Sequence, residues 1–469
     1  MLKNNTMEKR DVVVIGGGPA GYVAAIRASQ FGATVTLVEK RELGGTCLNR
    51  GCIPTKFLLH SVDIYQSIKA AEQYGISVTE ANLDLSKMQA RKNMVVSTLA
   101  SKVQNLLSGN NIEVVAGRAK LSSSKQVEID FGQREKQIIQ ARKIIIATGS
   151  TPITLPIPGA DGPDIMNTES LLDLDYLPKS WVMIGGGVVG VELTTILVRL
   201  GCKVSIVEMM PHILPTQDTE LASILSNILK EDGVEIYCGV AVSNIDNVDG
   251  GKLVILSDGN KTEKKLKAEA VAVAVGQKPN VKGLGLDECG VVTNNGRIQT
   301  NERMQTSVPD IYAAGDVVGG IMLAYVAMAE GIVAAENALG INSAINYQTI
   351  PQCIFTSPEV ASVGLTEKEA ISRGYEAQIG RFPFARNSMA AILGEQRGLV
   401  KIITDQKYGQ LLGVHIIGPH ATCLIAEAVA AMKLEGTYED VIATMHAHPT
   451  LSETLWEAAM DVSGKAIHS

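Results

Sequence analysis

The sequence predicts an α/β fold, two parallel-sheet units followed by a C-terminal α+β region, and three observations carry that prediction. A strand, a glycine-rich turn, a helix and a second strand ending in an acid occur twice, at 11–39 and 181–208. The strands in both copies are continuous apolar, β-branched runs, the pattern of strands buried on both faces of a parallel sheet. From residue 350 onward the pattern changes to short strands and two helices, with no third glycine turn.

In the first copy, residues 11–15 form the opening strand and Gly16-Gly17-Gly18-Pro19-Ala20-Gly21 the turn. A helix through Ala24 to Ala28 follows, then a strand over 34–38 that ends at Glu39. Gly16 allows the tight turn, Gly18 lets backbone N–H groups approach a pyrophosphate, and Gly21 permits close helix–strand packing. The helix N-terminus favours the anion, and Glu39 is placed to accept ribose hydroxyls. In the second copy Gly185, Gly187 and Gly190 take the same places, with Val188 and Val189 between them and Glu208 at the strand end. Gly16 to Glu39 and Gly185 to Glu208 both span 23 positions. Two Rossmann-like units therefore imply two dinucleotides. At the second, Glu208 would repel a 2′-phosphate, and Met209, Met210 and Pro211 follow it where a phosphate-selecting site supplies Arg. NAD is expected over NADP, with His212 a surface-loop residue.

The chain has 469 residues, too many for one core, so two to four domains are expected. A formal net charge of -7 argues against nucleic-acid binding. Residues 1–10 are polar and charged and read as a frayed tail, not a signal peptide. No apolar run approaches the roughly 18–20 residues of a membrane span. Five of the seven cysteines (Cys202, Cys238, Cys289, Cys353, Cys423) are scattered in apolar contexts, so a cytoplasmic protein without a disulfide framework is expected.

Cys47 and Cys52 differ from those five. They lie in Gly44-Gly45-Thr46-Cys47-Leu48-Asn49-Arg50-Gly51-Cys52-Ile53-Pro54-Thr55-Lys56, directly after the first nucleotide unit. Wound as one helix, this spacing puts the thiols a little over a turn apart on roughly one face, within reach of disulfide geometry. A redox pair beside a nucleotide is one reading; two buried small hydrophobes or a metal clip are the alternatives. A zinc site would need a second ligand pair at similar spacing, and none follows.

Between the two units, residues 64–108 are rich in helix formers, and 111–139 alternate like a small antiparallel sheet. Residues 144–150 form a buried strand ending in Ala147-Thr148-Gly149-Ser150, and Pro152, Pro156 and Pro158 mark a linker. Val271 to Gly276 is a similar strand-to-turn element. The strand over 311–316 ends in Gly315-Asp316, where a carboxylate would meet a sugar or ribityl hydroxyl at the sheet edge. Capping the following helix is an equal alternative for Asp316. Near the C-terminus, His446-Ala447-His448-Pro449-Thr450-Leu451-Ser452-Glu453 offers a base, His448, with Glu453 able to hold one ring nitrogen. A cis His448–Pro449 bond is plausible here.

Along essentially its whole length the chain resembles the FAD-dependent pyridine nucleotide-disulfide oxidoreductases, in the branch that oxidises dihydrolipoyl groups. Both glycine units, Gly-Gly-Thr-Cys-x4-Cys-Ile-Pro-Thr-Lys, Ala-Thr-Gly, Ala-Gly-Asp and His-x-His-Pro-Thr-x-Ser-Glu carry the resemblance. It implies an FAD domain (1–150), an NAD domain (151–277), a central domain completing the FAD site (278–348) and an interface domain (349–469). The implied assembly is a homodimer in which His448 and Glu453 serve the partner's site. Cys47 and Cys52 would form the redox disulfide, and Lys56 and Glu192 an ion pair beside the flavin, which could equally be an ordinary pair at a domain contact. Further FAD contacts implied by the resemblance are Lys40, Gly45, Thr46, Lys56 and Gly117. Thr148, Gly149, Ser150 and Asp316 are implied likewise, as are Met322, Leu323, Ala324 and Tyr325. For NAD they are Glu192, Val242 and Gly276.

The implied activity is oxidation of protein-bound dihydrolipoamide to lipoamide with NAD+. The implied partners are the lipoyl and subunit-binding domains of a separate acyltransferase (E2), or a lipoyl carrier protein, in a 2-oxo acid dehydrogenase, acetoin or glycine cleavage system. No metal, membrane or nucleic acid is expected, and no lipoyl-type domain on this chain. Two departures from the family pattern stand out: Leu323-Ala324-Tyr325 where many members have Leu-Ala-His, and Gly276-Gln277-Lys278-Pro279-Asn280 where many have Gly-Arg-x-Pro-Asn. A glutathione-reductase-like enzyme is the nearest rival and would use NADPH. Mercuric and large thioredoxin reductases carry a redox pair near the C-terminus, and the run 464–469 has no cysteine. A non-catalytic, NADH-sensing flavoprotein is the alternative from another class.

Overall fold

The computed structural model describes residues 8–132, 136–162, 164–258 and 263–468. Its first sheet runs Glu113–Ala116, Val35–Glu39, Glu8–Ile15 and Lys136–Ile146, all parallel. The long strand Lys136–Ile146 has two neighbours on its far side. Its first half pairs antiparallel with Gln126–Asp130, and its last three residues pair parallel with Ile311–Ala313. The chain thus leaves this sheet, builds the second unit, and returns to it.

The second sheet is parallel throughout, in the order Glu235–Cys238, Lys203–Glu208, Ser180–Ile184, Ala270–Val273, Ile165–Asn167. A three-stranded antiparallel meander from Ala241 to Ala268 packs beside it. Ser150–Pro152 and Gln277–Pro279 pair antiparallel, so the segments leaving and re-entering the first unit run side by side. The C-terminal region is a five-stranded antiparallel sheet, Gln352–Ile354, Glu359–Gly364, Leu411–Gly418, Leu399–Asp405, Ala377–Pro383. The helices Ala421–Lys433 and Glu453–Asp461 contribute Ile425, Ala428, Leu455 and Ala458 to its core.

Sterics explain why the two glycine turns look alike. Gly16 has φ +108° and Gly185 φ +110°, and a Cβ there would stand 2.2 and 2.4 Å from the Ala147 and Ala274 carbonyl oxygens. A Cβ on Gly21 or Gly190 would lie 1.8 or 2.0 Å from the Gly16 or Gly185 carbonyl oxygen. Only glycine lets each helix start this close to its strand.

Several sequence expectations are corrected. The first strand begins at Glu8, so residues 8–10 of the expected tail pair in the sheet, while 1–7 lie outside the described residues. The helix of the second unit is Val188–Arg199, beginning directly after Gly187 rather than at residue 191, where its apolar run places it. Of the expected antiparallel region, Glu113–Ala116 instead extends the parallel sheet, and 133–135 lie outside the described residues. The helical stretch divides into Cys52–Lys69 and Leu85–Gly109. The C-terminal region holds five helical segments longer than a single 3-10 turn rather than two, three of them only six residues long. Such short segments carry too little periodicity to read. Among the described residues, no helix is long and apolar enough to cross a membrane.

Candidate active site

Each glycine turn presents backbone donors to its acid. Gly17 N–H donates to Glu39 Oε2 at 2.6 Å and Arg41 N–H to Oε1 at 2.8 Å. Gly186 and Met210 N–H groups donate to the two oxygens of Glu208, both at 2.7 Å. A carboxylate oxygen accepts more than one hydrogen bond, so both acids keep capacity for ribose hydroxyls. Gly16, Glu39, Lys40, Gly117 and Thr148 line a cavity of about 360 Å³ together with Asn280. Gly45 packs on the turn so closely that a Cβ there would stand 2.7 Å from Gly18 Cα.

Asp316 is the first residue inside a short 3-10 turn whose N-cap position is Gly315. Its side chain accepts the Ser150 hydroxyl at 2.5 Å, and burial raises its pKa. The capping alternative is therefore not what the structure shows. Asn280, to which the sequence reading gave no role, ties the turn after the Lys136–Ile146 strand. Its amide donates to Thr148 O at 3.0 Å, its backbone N–H to Gly149 O at 2.9 Å, and its carbonyl accepts from Thr148 Oγ1 at 2.8 Å. Met322 and Leu323 lead into the helix Ala324–Ala338, and the Tyr325 hydroxyl donates to Pro351 O. Gly276 (φ +115°) accepts from Ile153 N–H. Val242 and Val275 both pack against the cluster that holds Ile184, the last strand residue before the second glycine turn.

The cysteine segment is not one helix. Gly45–Arg50 ends at Gly51 (φ −141°, ψ −109°), and a new helix begins at Cys52. The break replaces the single helical face expected from spacing. Both thiols are free, Cys47 half-buried and Cys52 exposed. The neighbouring Cys52 thiol, together with burial, pushes the Cys47 thiol up. The same pairing, helped by the Lys56 charge, lowers Cys52 to about 7. The Lys56 ammonium, one helical turn away, thus favours Cys52 as the thiolate of the pair.

Lys56 lies one helical turn beyond Cys52. Its ammonium donates to Glu192 Oε2 at 2.7 Å and Oε1 at 2.9 Å. Glu192, 3% exposed, sits on the second unit's helix and also accepts from Phe355 N–H at 2.9 Å. Phe355 was missed by sequence reasoning, because an aromatic residue in an apolar run carries no signal of its own.

The His448 side chain is 70% exposed, and its Nδ1 lies 2.9 Å from Glu453 Oε1. Burial alone would raise Glu453, but the Thr450 N–H and His448 together hold its carboxyl below the usual value. With Nδ1–H donating to the carboxylate, Nε2 is left free as a base. His448–Pro449 is cis, as is Ser357–Pro358, which was not anticipated. Within one chain, then, the dithiol and the Lys56–Glu192 pair are brought together, while the His448–Glu453 pair faces outward.

Residues 10–331 match the family described as pyridine nucleotide-disulphide oxidoreductase, and 350–459 match its dimerisation domain. The chain belongs to this family, whose members use FAD and NAD(H), and its dimerisation domain supports a homodimer. It is 43% identical over 460 residues to a dihydrolipoyl dehydrogenase of Bacillus subtilis (98% of this chain, 100% of the relative). It is 39% identical to the mitochondrial dihydrolipoyl dehydrogenase of Pisum sativum (98% and 93%). Among solved structures, LpdA from Mycobacterium tuberculosis superposes with a TM-score of 0.88 at 27% identity, covering 97% of this chain and 99% of that one. The HOCl-induced flavoprotein disulfide reductase RclA from Escherichia coli, as its Cu(II) complex, gives 0.87 at 28%, with the same coverage.

The residues present fit an FAD. Backbone donors at a helix start, an acid with spare acceptor capacity and the cradle where Gly18 meets Gly45 suit a pyrophosphate and ribose. The part-buried Ser150–Asp316 pair suits a polyol.

Proposed function

We propose that this chain is an NAD-dependent dihydrolipoyl dehydrogenase, oxidising protein-bound dihydrolipoamide through Cys47 and Cys52. The observation that carries the reading is the dithiol with its charge on Cys52, set beside Lys56–Glu192 between two nucleotide folds. The division at 150, 277 and 348 belongs to the same reading. It is supported by the paired exit and return strands and by Ile311–Ala313 rejoining the first sheet.

In the oxidised enzyme the two sulfurs are joined. Nε2 of His448, contributed by the partner subunit's copy of the chain, removes a proton from one substrate thiol. That sulfur attacks Cys47, the Cys47–Cys52 bond breaks, and Cys52 leaves as thiolate. The second substrate thiol attacks the substrate sulfur of the mixed disulfide, and its proton passes to Cys47, which leaves as a thiol while the first proton stays on His448. The cyclic disulfide departs with the substrate oxidised by one electron pair. The Lys56 charge beside Cys52 then favours keeping the negative charge on that sulfur. A bound FAD would supply the two-electron acceptor between the dithiol and the nicotinamide. Gly16, Gly18, Gly21, Glu39 and Asp316 would hold FAD, and Gly185, Gly187, Gly190 and Glu208 would hold NAD. Exposure of His448 in a single chain supports service across a dimer.

The partner is a lipoyl-bearing protein, such as an acyltransferase core or lipoyl carrier. Seven cysteines, all free, fit a reducing cytoplasm. The test is steady-state turnover of dihydrolipoamide with NAD+ and NADP+, and of glutathione disulfide with NADH and NADPH. Dihydrolipoamide with NAD+ is expected to dominate. Faster glutathione disulfide reduction with NADPH would overturn the proposal.

A further inference from the structure

Phe355 lies in neither glycine unit nor the cysteine segment, yet it touches both members of the pair next to the dithiol. Its backbone N–H donates to Glu192 Oε1 at 2.9 Å, and Lys56 Nζ stands 4.6 Å from the centre of its ring. The residue is itself pinned on both sides. Three positions earlier Gln352 Oε1 accepts from Gln217 Nε2 at 2.5 Å, and two positions later Ser357 Oγ accepts from Arg199 Nη1 at 2.6 Å. Gln217 and Arg199 both belong to the second nucleotide unit, so the 352–357 segment is held against that unit at three points, counting Glu192.

We propose that Phe355 is a positioning residue, which fixes the Lys56 ammonium between Glu192 and Cys52 and so sets how strongly that charge supports the Cys52 thiolate. The physical argument rests on what Lys56 would do without the ring. Its ammonium ends a flexible four-carbon stem, and one carboxylate leaves it free to swing around the acid. A cation over an aromatic face gains a second, directional contact. With Glu192 on one side and the ring on another, the ammonium stays over the start of its own helix, where Cys52 sits one turn away. The carboxylate is fixed separately by the Phe355 backbone donor, which a side-chain substitution leaves in place. The inference therefore concerns the ring alone.

The inference rests on the dithiol–flavin reading above. Its test is the pH dependence of the long-wavelength thiolate absorbance in the two-electron-reduced, FAD-loaded protein, measured for wild type, Phe355→Leu, Phe355→Met and Phe355→Tyr. Loss of the ring is expected to move the midpoint upward by roughly 0.3–0.7 pH unit in the Leu and Met variants. The Tyr variant should coincide with wild type. A purely structural role would lower the melting temperature of the Leu and Met variants without moving the midpoint, and that result would overturn the proposal. So would a Tyr variant displaced as far as Leu. Absence of the band in wild type would instead remove the dithiol–flavin reading, and this inference with it. The Met variant keeps the test available if Leu fails to fold.

Discussion

Replacing Lys401 by Met probes the contact between the second nucleotide unit and the C-terminal sheet. Lys401 is 2% exposed, and its ammonium reaches Asp218 (3.0 and 3.2 Å), Glu220 (3.0 Å) and Glu367 (2.7 Å). Arg381 is the other cation of the group, bound to Glu220 at 2.9 Å. Met preserves most of the volume, so little cavity cost arises. What is lost is one of two cations facing three carboxylates, and removing one partner of a buried pair costs about 3–5 kcal/mol. Asp218, 2% exposed, keeps backbone donors from Glu220 (3.0 Å) and Glu367 (3.3 Å), which places the loss near about 3 kcal/mol. With an unfolding entropy of about 1 kcal/mol/K for the whole chain, thermal unfolding of the FAD-loaded protein should fall by roughly 3 °C at pH 7.

The pH dependence has a definite sign. Burial alone would raise Asp218, but the Lys401 ammonium and the Glu367 N–H hold its carboxyl below the usual value. Its stabilising contribution is therefore present above the unfolded value and is lost as pH falls through the lower folded one. Without Lys401, Asp218 protonates more readily, and the adjacent buried His415, otherwise held neutral, is freed from a neighbouring positive charge. Both effects narrow the gap between variant and wild type as pH falls from 7 toward 4. An unchanged melting temperature at pH 7, or a gap that stays constant with pH, would refute the reasoning.

The two glycine turns can be separated by single methyl groups. Gly190→Ala places a Cβ 2.0 Å from Gly185 O. It should raise KM for NAD+ roughly 10- to 100-fold while FAD content stays normal. Gly21→Ala, with its 1.8 Å clash, should yield protein depleted of FAD by absorbance. His448→Gln should lower lipoamide turnover by about 100- to 10,000-fold. Hybrid dimers formed from Cys52→Ser and His448→Gln chains should recover roughly half of wild-type activity per dimer, because one site then combines an intact dithiol with an intact base. Hybrids as inactive as both parents would show that each chain uses its own His448.

Much of the fold was legible because its repeats are steric. Gly16, Gly21, Gly185 and Gly190 sit where no side chain fits, so the two units announce themselves. The C-terminal helices of six residues and the break at Gly51 were not legible, since neither leaves a periodic trace longer than a turn or two. The chemical groups Cys47, Cys52, Lys56 and His448 were legible by type and spacing. Their partners were less so. Glu192 rested on resemblance, while Asn280 and Phe355 act through backbone atoms, one amide and a ring face, which any sequence offers in abundance. The Lys401 cluster draws on residues 218, 220, 367, 381 and 401, a separation that only the folded chain closes.

Counting titratable thiols in the denatured FAD protein, before and after anaerobic treatment with NADH, asks most directly whether this dithiol exchanges electrons with nicotinamide. Of the seven cysteines, five should titrate in the oxidised protein and seven after NADH, the two gained being Cys47 and Cys52 by mass mapping. An unchanged count, or gained thiols that map elsewhere, would contradict the account.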